Sequence, residues 1–208
     1  MKNALKHIDR LIEANTETFD KEQPYEWFRF RTDDVLLRVN GDDIEIDFKG
    51  TERAFSEWFY NFWTFRREWF SMGCVERGFS FNAEEIAGGE HEPLSLISRC
   101  LSFNGKIIMR GHSRGAVLAP LVATIFVWHG INPNRISLHL FAAPKLGNKK
   151  FLNSYTDMLG DKTFVINGSR DWVTYVPTWS RRVGIVKKFK GGALHALKVY
   201  RKAIKQML

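Results

Sequence analysis

The sequence predicts an α/β fold with a mostly parallel central sheet, an antiparallel hairpin at its amino-terminal edge, and flanking helices. Three observations predict it. From residue 106 onward, short apolar runs alternate with segments of helical periodicity, as strands joined by crossover helices do. Earlier, the runs at 35–39 and 44–48 are separated by Asn40-Gly41, a hairpin signal that adds antiparallel strands at one edge. At Gly111-His112-Ser113-Arg114-Gly115 an apolar run meets a small-residue run across a tight turn, giving strand, turn and helix with a serine at the apex.

Taken in order, residues 2–18 read as an amphipathic helix, because Leu5, Ile8, Leu11 and Ile12 recur at helical spacing among charges. Strands are expected at 27–31, 35–39 and 44–48. Residues 55–70, dense in aromatics, read as helical. Residues 84–101 read as helix with a break or late start near Gly88-Gly89 and Pro93. The elbow strand at 106–110 follows, then its helix, which Pro120 should kink or shorten. A strand at 136–142, a helix at 148–158 ended by Gly160, a strand at 163–167 and a last helix at 193–206 complete the chain. The expected organisation is one domain over residues 1–208, with residues 1–20 as a helical appendage and 55–70 as an aromatic segment within it.

The chain has 208 residues, of which 44% are hydrophobic, enough for one real core. Its 17 Phe and 7 Trp are more than a core of this size needs. Two cysteines, Cys74 and Cys100, form no disulfide framework and no metal-ligand spacing, so no metal or cofactor is expected. The first residues lack the apolar stretch of a signal peptide, and no apolar run approaches the ~20 residues that span a bilayer. A cytoplasmic protein is the expectation, with release by lysis as the route out for a phage-encoded chain. The net charge of +8 is uneven: residues 172–208 carry Lys and Arg but no Asp or Glu. Such an end favours anionic surfaces; a peripheral anionic membrane is the expected one, and nucleic acid is not an expected partner. Oligomeric state is not legible.

Gly-x-Ser-x-Gly between strand and helix is a nucleophile elbow: the turn strains the serine backbone and leaves no room for side chains two residues either side. A serine hydroxyl needs a base, and the base an acid, in the order serine, acid, histidine. Of six histidines, His7, His91 and His112 precede Ser113, His129 lies in the following helix and His139 in mid-strand. His195 alone comes late enough, and the flanking Gly191-Gly192 suit a loop opening onto a site. Between Ser113 and His195 the acids are Asp157, Asp161 and Asp171. Asp157 is helical and Asp161 lies at the amino end of the sheet. Asp171 follows a strand through Gly168-Ser169-Arg170, which puts it on the carboxyl-terminal rim with Ser113. Oxyanion donors are expected from the amide after the serine, Arg114, and from Thr51, beyond the strand that ends in Phe48-Lys49-Gly50.

These residues together resemble the class 3 lipases, a branch of the α/β-hydrolases. The family's oxyanion segment is similar to Phe48-Lys49-Gly50-Thr51, its acidic-Trp-x-x-Asn motif to Glu57-Trp58-Phe59-Tyr60-Asn61, and its Gly-Phe pair to Gly78-Phe79. The elbow matches residues 111–115, and Phe141-Ala142-Ala143-Pro144-Lys145-Leu146-Gly147-Asn148 matches the next conserved stretch of the family. Asn167, Asp171, Val173 and Pro177 follow the acid-loop pattern, and His195 the final histidine. The resemblance runs from about residue 44 to 200. It implies a carboxylic ester hydrolase with Ser113, Asp171 and His195 as triad, Thr51 and Arg114 as oxyanion hole, a lipid or ester substrate and no cofactor. It also places 55–70 where the family carries its lid. The chain departs from the family at Arg114, where leucine is usual, at Gly115-Ala116 for a double glycine, at Arg77 for histidine and at Ala196 for proline. Unless Arg114 points into solvent, a cation beside the serine weakens the expectation of a neutral triglyceride and favours an anionic or phosphorylated headgroup. Triglyceride lipase, phospholipase A1, monoacylglycerol lipase and thioesterase stay open. So do an acyltransferase with the same triad and a binding module that has lost catalysis.

Overall fold

A computed structural model describes residues 1–16, 25–30, 33–49, 65–88 and 95–208. Its main sheet has the order β1-β2-β3-β6-β7-β8-β9. The strands are β1 (Tyr25–Phe30), β2 (Asp33–Asn40), β3 (Asp43–Phe48), β6 (Ile107–His112), β7 (Ile136–Phe141), β8 (Thr163–Gly168) and β9 (Ile185–Phe189). β1, β2 and β3 pair antiparallel, with Asn40 opposite Asp43 across the predicted hairpin turn. From β3 onward every pairing is parallel. The α/β fold with an antiparallel edge is therefore present. Its crossovers bring the carboxyl ends of β6, β8 and β9 to one rim, where ligands bind in open α/β sheets.

The helices are α1 (Lys2–Thr16), α2 (Arg77–Ala87), α3 (Leu96–Leu101), α4 (Gly115–Trp128), α5 (Lys149–Leu159) and α6 (Leu197–Gln206). On one face of the sheet α2, α4 and α5 bury Phe79, Ile86, Leu118, Val122, Phe151 and Tyr155 against Ile46, Met109 and Leu138. On the other, Ile8 and Leu11 of α1 meet Tyr200 and Ile204 of α6 over Phe141 and Ile166. Residues 2–16, expected as an appendage, thus close the second layer of the core. Among the described residues no helix is long and apolar enough to cross a membrane.

Several expectations are corrected. Pro120 neither ends nor shortens α4. Its missing N–H leaves the Ala116 carbonyl without a helical partner, a cost of about 3 kcal/mol, but residues 115–126 are all buried and packing overrides it. The break expected within 84–101 is present, α2 ending at Ala87 and α3 starting at Leu96. α2 begins earlier, where the Glu76 carboxylate accepts from the Phe79 amide at 2.8 Å, and α3 begins at Ser95, whose hydroxyl accepts from Ser98 at 3.1 Å. Of the aromatic segment 55–70, residues 55–64 lie outside the described residues. Its end is not helical: β4 (Arg66–Glu68) pairs with β5 (Cys74–Glu76), and Trp69 is core, its indole donating to Thr124 Oγ1 at 2.8 Å. β9 was not predicted. Its lysines suit an edge strand and mask its period. The last helix begins at Leu197, so His195 stands in the loop before it.

Under α1 lies a buried ionic cluster. The fully buried Arg110 of β6 donates to both oxygens of Asp47 at 3.0 and 3.1 Å, and its Nη2 lies 2.8 Å from Glu45. Its Nε donates to His7 Nδ1 at 3.2 Å, and the His7 ring stacks on His139 with centroids 3.5 Å apart.

Candidate active site

Ser113 follows β6 directly and has φ of 56°, the strained conformation an elbow requires. Its amide donates to the Phe141 carbonyl at the end of β7 at 3.1 Å. The glycines of the turn answer to contact. A Cβ on Gly111 would come 2.3 Å from the Gly115 carbonyl oxygen, and one on Gly115 would come 2.3 Å from that of Phe48. Their absence brings the end of β3 against the serine turn.

The three predicted side chains meet. His195 Nε2 is 2.6 Å from Ser113 Oγ and its Nδ1 is 2.7 Å from Asp171 Oδ2. With Nδ1 protonated, Nε2 accepts the serine proton, the tautomer that suits both contacts. Ser113 and Asp171 are buried and His195 is partly open, with 15% of its side chain exposed. Asp171 caps the short turn of 3₁₀ helix that follows it, accepting from the Val173 amide at 3.2 Å through Oδ1.

Two loops are joined around the acid and the histidine. Ser169 donates from its amide to the Phe189 carbonyl at 2.9 Å, and Arg170 to that of Gly191 at 2.8 Å. Asn167 ties β8 to β7, accepting from the Ala143 amide at 2.8 Å and donating to its carbonyl at 3.1 Å.

Tyr200 was not singled out in the sequence. Its hydroxyl donates to Asp171 Oδ2 at 2.6 Å and accepts from the Gly168 amide at 2.9 Å. Burial, with the hydrogen bond to the carboxylate, pushes the phenol well above its ordinary value, so it stays a donor. The signal for it was an aromatic with a hydroxyl on the apolar face of α6, four residues before Ile204, and it reads as core. His112 packs its ring 5.0 Å from that of His195. Burial, and then the neighbouring imidazole, lower its pKa to about 3, so it adds no cation beside His195.

Of the expected oxyanion donors, Arg114 opens α4, so its N–H belongs to the end of the helix where amides point outward. Its side chain does not reach solvent: the residue is 5% exposed. Thr51 lies outside the described residues. No group of His, Cys, Asp and Glu able to hold a metal occurs among the described residues. A cavity of about 250 Å³, lined by Ala4, His139, Phe164, Ile185 and Lys187, lies on the α1 face and not at the triad.

Comparison with known proteins gives the family and the fold. The family model described as Lipase (class 3) matches residues 46–181. A secreted mono- and diacylglycerol lipase of Malassezia globosa is 36% identical over 73 residues, which are 35% of this chain and 23% of that one. The chain therefore spans about a quarter of the curated relative it matches. Among solved structures, a lipase from Rhizopus microsporus var. chinensis superposes with a TM-score of 0.67 at 18% identity, over 91% of this chain and 71% of that one. A triacylglycerol lipase, described as having a serine protease triad for its catalytic centre, gives 0.68 at 16% identity over 91% and 77%. These two likenesses bear on the fold.

Proposed function

The chain belongs to the class 3 lipase family, and from that premise we propose that it is a serine ester hydrolase cleaving carboxylic esters of lipid-like substrates through an acyl-enzyme intermediate. The observation that carries the reading is the unbroken line of hydrogen bonds from Ser113 Oγ through His195 to Asp171.

In this reading Ser113 Oγ attacks the ester carbonyl carbon while His195 Nε2 takes its proton. The buried Asp171 carboxylate fixes the imidazole tautomer and stabilises its charged form. Amides of Arg114 and Thr51 hold the oxyanion; support for Thr51 comes from the family resemblance and from the approach of β3 to the elbow. His195 then protonates the leaving alcohol, which departs as the acyl–serine ester forms. Water enters, His195 takes its proton, the acid is released and Ser113 Oγ recovers its hydrogen. No metal or cofactor takes part in these steps.

The substrate is proposed to be a lipid ester, a class to which the acylglycerols in the relatives' names belong, reached by peripheral contact with a membrane surface. The aromatic segment 55–70 is proposed as the lid, and residues 1–208 as one catalytic domain. Cytoplasmic residence is part of the same reading, since two unbridged cysteines suit a reducing compartment.

The test is turnover of p-nitrophenyl esters of increasing chain length by the wild type and Ser113→Ala. A drop of roughly 10⁵–10⁶ in kcat is expected on losing the nucleophile, and the best chain length separates esterase from lipase. Absence of turnover at every length, with no labelling of Ser113 by a fluorophosphonate, would leave a hydrolase fold that only binds.

A further inference from the structure

The rim that carries the triad has a chemistry that ester cleavage does not use. Trp172, next to Asp171, is 49% exposed, and Leu194, next to His195, is 73% exposed, more than any other large apolar side chain among the described residues. Both stand where the triad loops reach the surface. Between them lies a run of cations. The backbone bonds that join Ser169 to Phe189 and Arg170 to Gly191 bring together the two loops that carry Arg170, Lys188 and Lys190, all exposed. The Tyr175 ring has the Arg182 guanidinium 4.8 Å from its centroid and the Lys188 ammonium 5.2 Å from it. Beyond Asp171 the sequence holds no acidic residue, and Asp171 itself is buried against His195 and Tyr200. The positive charge of this rim is therefore not cancelled by carboxylates of its own segment.

We propose that this rim is a docking surface for an anionic phospholipid bilayer, with Arg170, Lys188 and Lys190 on headgroup phosphates and Trp172 and Leu194 entering the interface. The choice of lipid rests on the ester-hydrolase reading; the charge and the apolar side chains stand without it. Cations beside exposed aromatic and aliphatic groups match the headgroup–acyl boundary, where ammonium and guanidinium meet phosphate and indole sits between water and hydrocarbon. A nucleic acid would engage the cations but gives Leu194 nothing to enter. Docked this way, the loops of Asp171 and His195 face the membrane, so an ester at the headgroup level lies against the triad.

The test uses the full chain carrying Ser113→Ala, so that binding is read without turnover, in sedimentation with vesicles of phosphatidylcholine alone or with roughly a third phosphatidylglycerol. Binding to the anionic vesicles is expected to be at least tenfold tighter, at roughly fivefold per cation, and the preference should vanish near 0.5 M salt, where the Debye length is about 4 Å. Arg170→Glu, Lys188→Glu and Lys190→Glu together should abolish it. The same charge change at the far-side positions Lys2, Lys106 and Lys162 should spare it. The glutamine triple at the rim, checked by its melting temperature, guards against a misfolded glutamate variant. Trp172→Ala with Leu194→Ala should weaken binding to both vesicles. Equal binding to both vesicles, an anionic preference that survives the rim triple, or displacement from vesicles by duplex DNA at equal phosphate would each overturn the proposal. Wild type that cleaves soluble short esters yet ignores membrane charge loses the docking surface alone. Protein that binds anionic vesicles but turns over no ester keeps the docking surface and loses the hydrolase reading.

Discussion

Asp47 in strand β3 and Asp171 in the loop after β8 are both buried, at 2% and 0% exposure, and their neighbours give them opposite characters. Asp47 faces Arg110, a permanent cation that takes both of its oxygens. Its charge is cancelled where it stands, and the nearby His7 is confined to accepting a hydrogen bond. Burial, then the Arg110 and Lys6 charges, lower His7 to about 4. Asp171 is held by neutral donors: the His195 ring, the Tyr200 hydroxyl and the Val173 amide. Its charge stays uncancelled and can stabilise an imidazolium that appears and disappears. A buried carboxylate beside a fixed cation makes structure; the same group beside neutral donors makes a histidine into a base.

The comparison can be broken by exchanging the carboxylates for amides. Asp171→Asn keeps the shape and loses the charge, and kcat on a soluble ester is expected to fall about 10⁴-fold. Asp47→Asn should leave kcat per folded molecule alone and cost about 1.5–3 kcal/mol in urea unfolding, because the buried Arg110 loses one of its two counter-charges and keeps Glu45. The reverse outcome, stability lost at Asp171 and kcat at Asp47, would end the distinction.

Smaller effects sharpen it. Tyr200→Phe removes a donor from Asp171 Oδ2 and leaves the buried Gly168 amide unsatisfied. Stability should fall by about 1–3 kcal/mol. Steady-state kinetics should show roughly a tenfold loss in kcat with little change in KM, the mark of a positioning role. Acid should act on the buried histidines of both clusters, His112 beside His195 among them, which burial lowers to about 3. Burial, then neighbouring positive charge, lowers His7 to about 4 and His139 to about 3, below their unfolded value of 6.5. As pH falls the unfolded chain takes up these protons first, so stability is full above about pH 6.5 and is lost below it. The expected slope is roughly 1 kcal/mol per pH unit for each histidine, levelling near pH 4 for His7. Melting curves across this range test it, and His7→Phe should flatten the slope.

What was legible follows from how local the cause is. The elbow was, because close packing demands glycine on both sides of Ser113 and an apolar strand before it, all within a few residues. Asp171 was legible from chain order and from the rim its strand end reaches, and His195 from chain order and the glycines before it. Tyr200 was not: a tyrosine and an isoleucine one turn apart look like core, and only the fold brings the hydroxyl to Asp171. Arg110 looked like the end of an apolar strand, and its partners, Asp47 and His7, come from β3 and α1 far back in the chain. β9 hid behind its lysines, and Pro120 carried a local rule that the burial of residues 115–126 around it outweighs. Glu57, Trp58 and Thr51, on which part of the family resemblance rests, lie outside the described residues.

The packing of α1 on α6 sets a timetable for making the protein. Asp9 pairs with Arg201 across 192 residues of sequence. On a translating ribosome α1 waits roughly ten to forty seconds for that partner, at 5–20 residues per second. Every strand of the sheet is synthesised before Tyr200 emerges to hold Asp171. A nascent chain thus carries serine, aspartate and histidine while its acid still lacks one of its donors, and full activity is expected only once residue 200 has cleared the exit tunnel. A stop codon anywhere between His195 and Tyr200 would yield a product with all three triad residues and an acid that is not properly held.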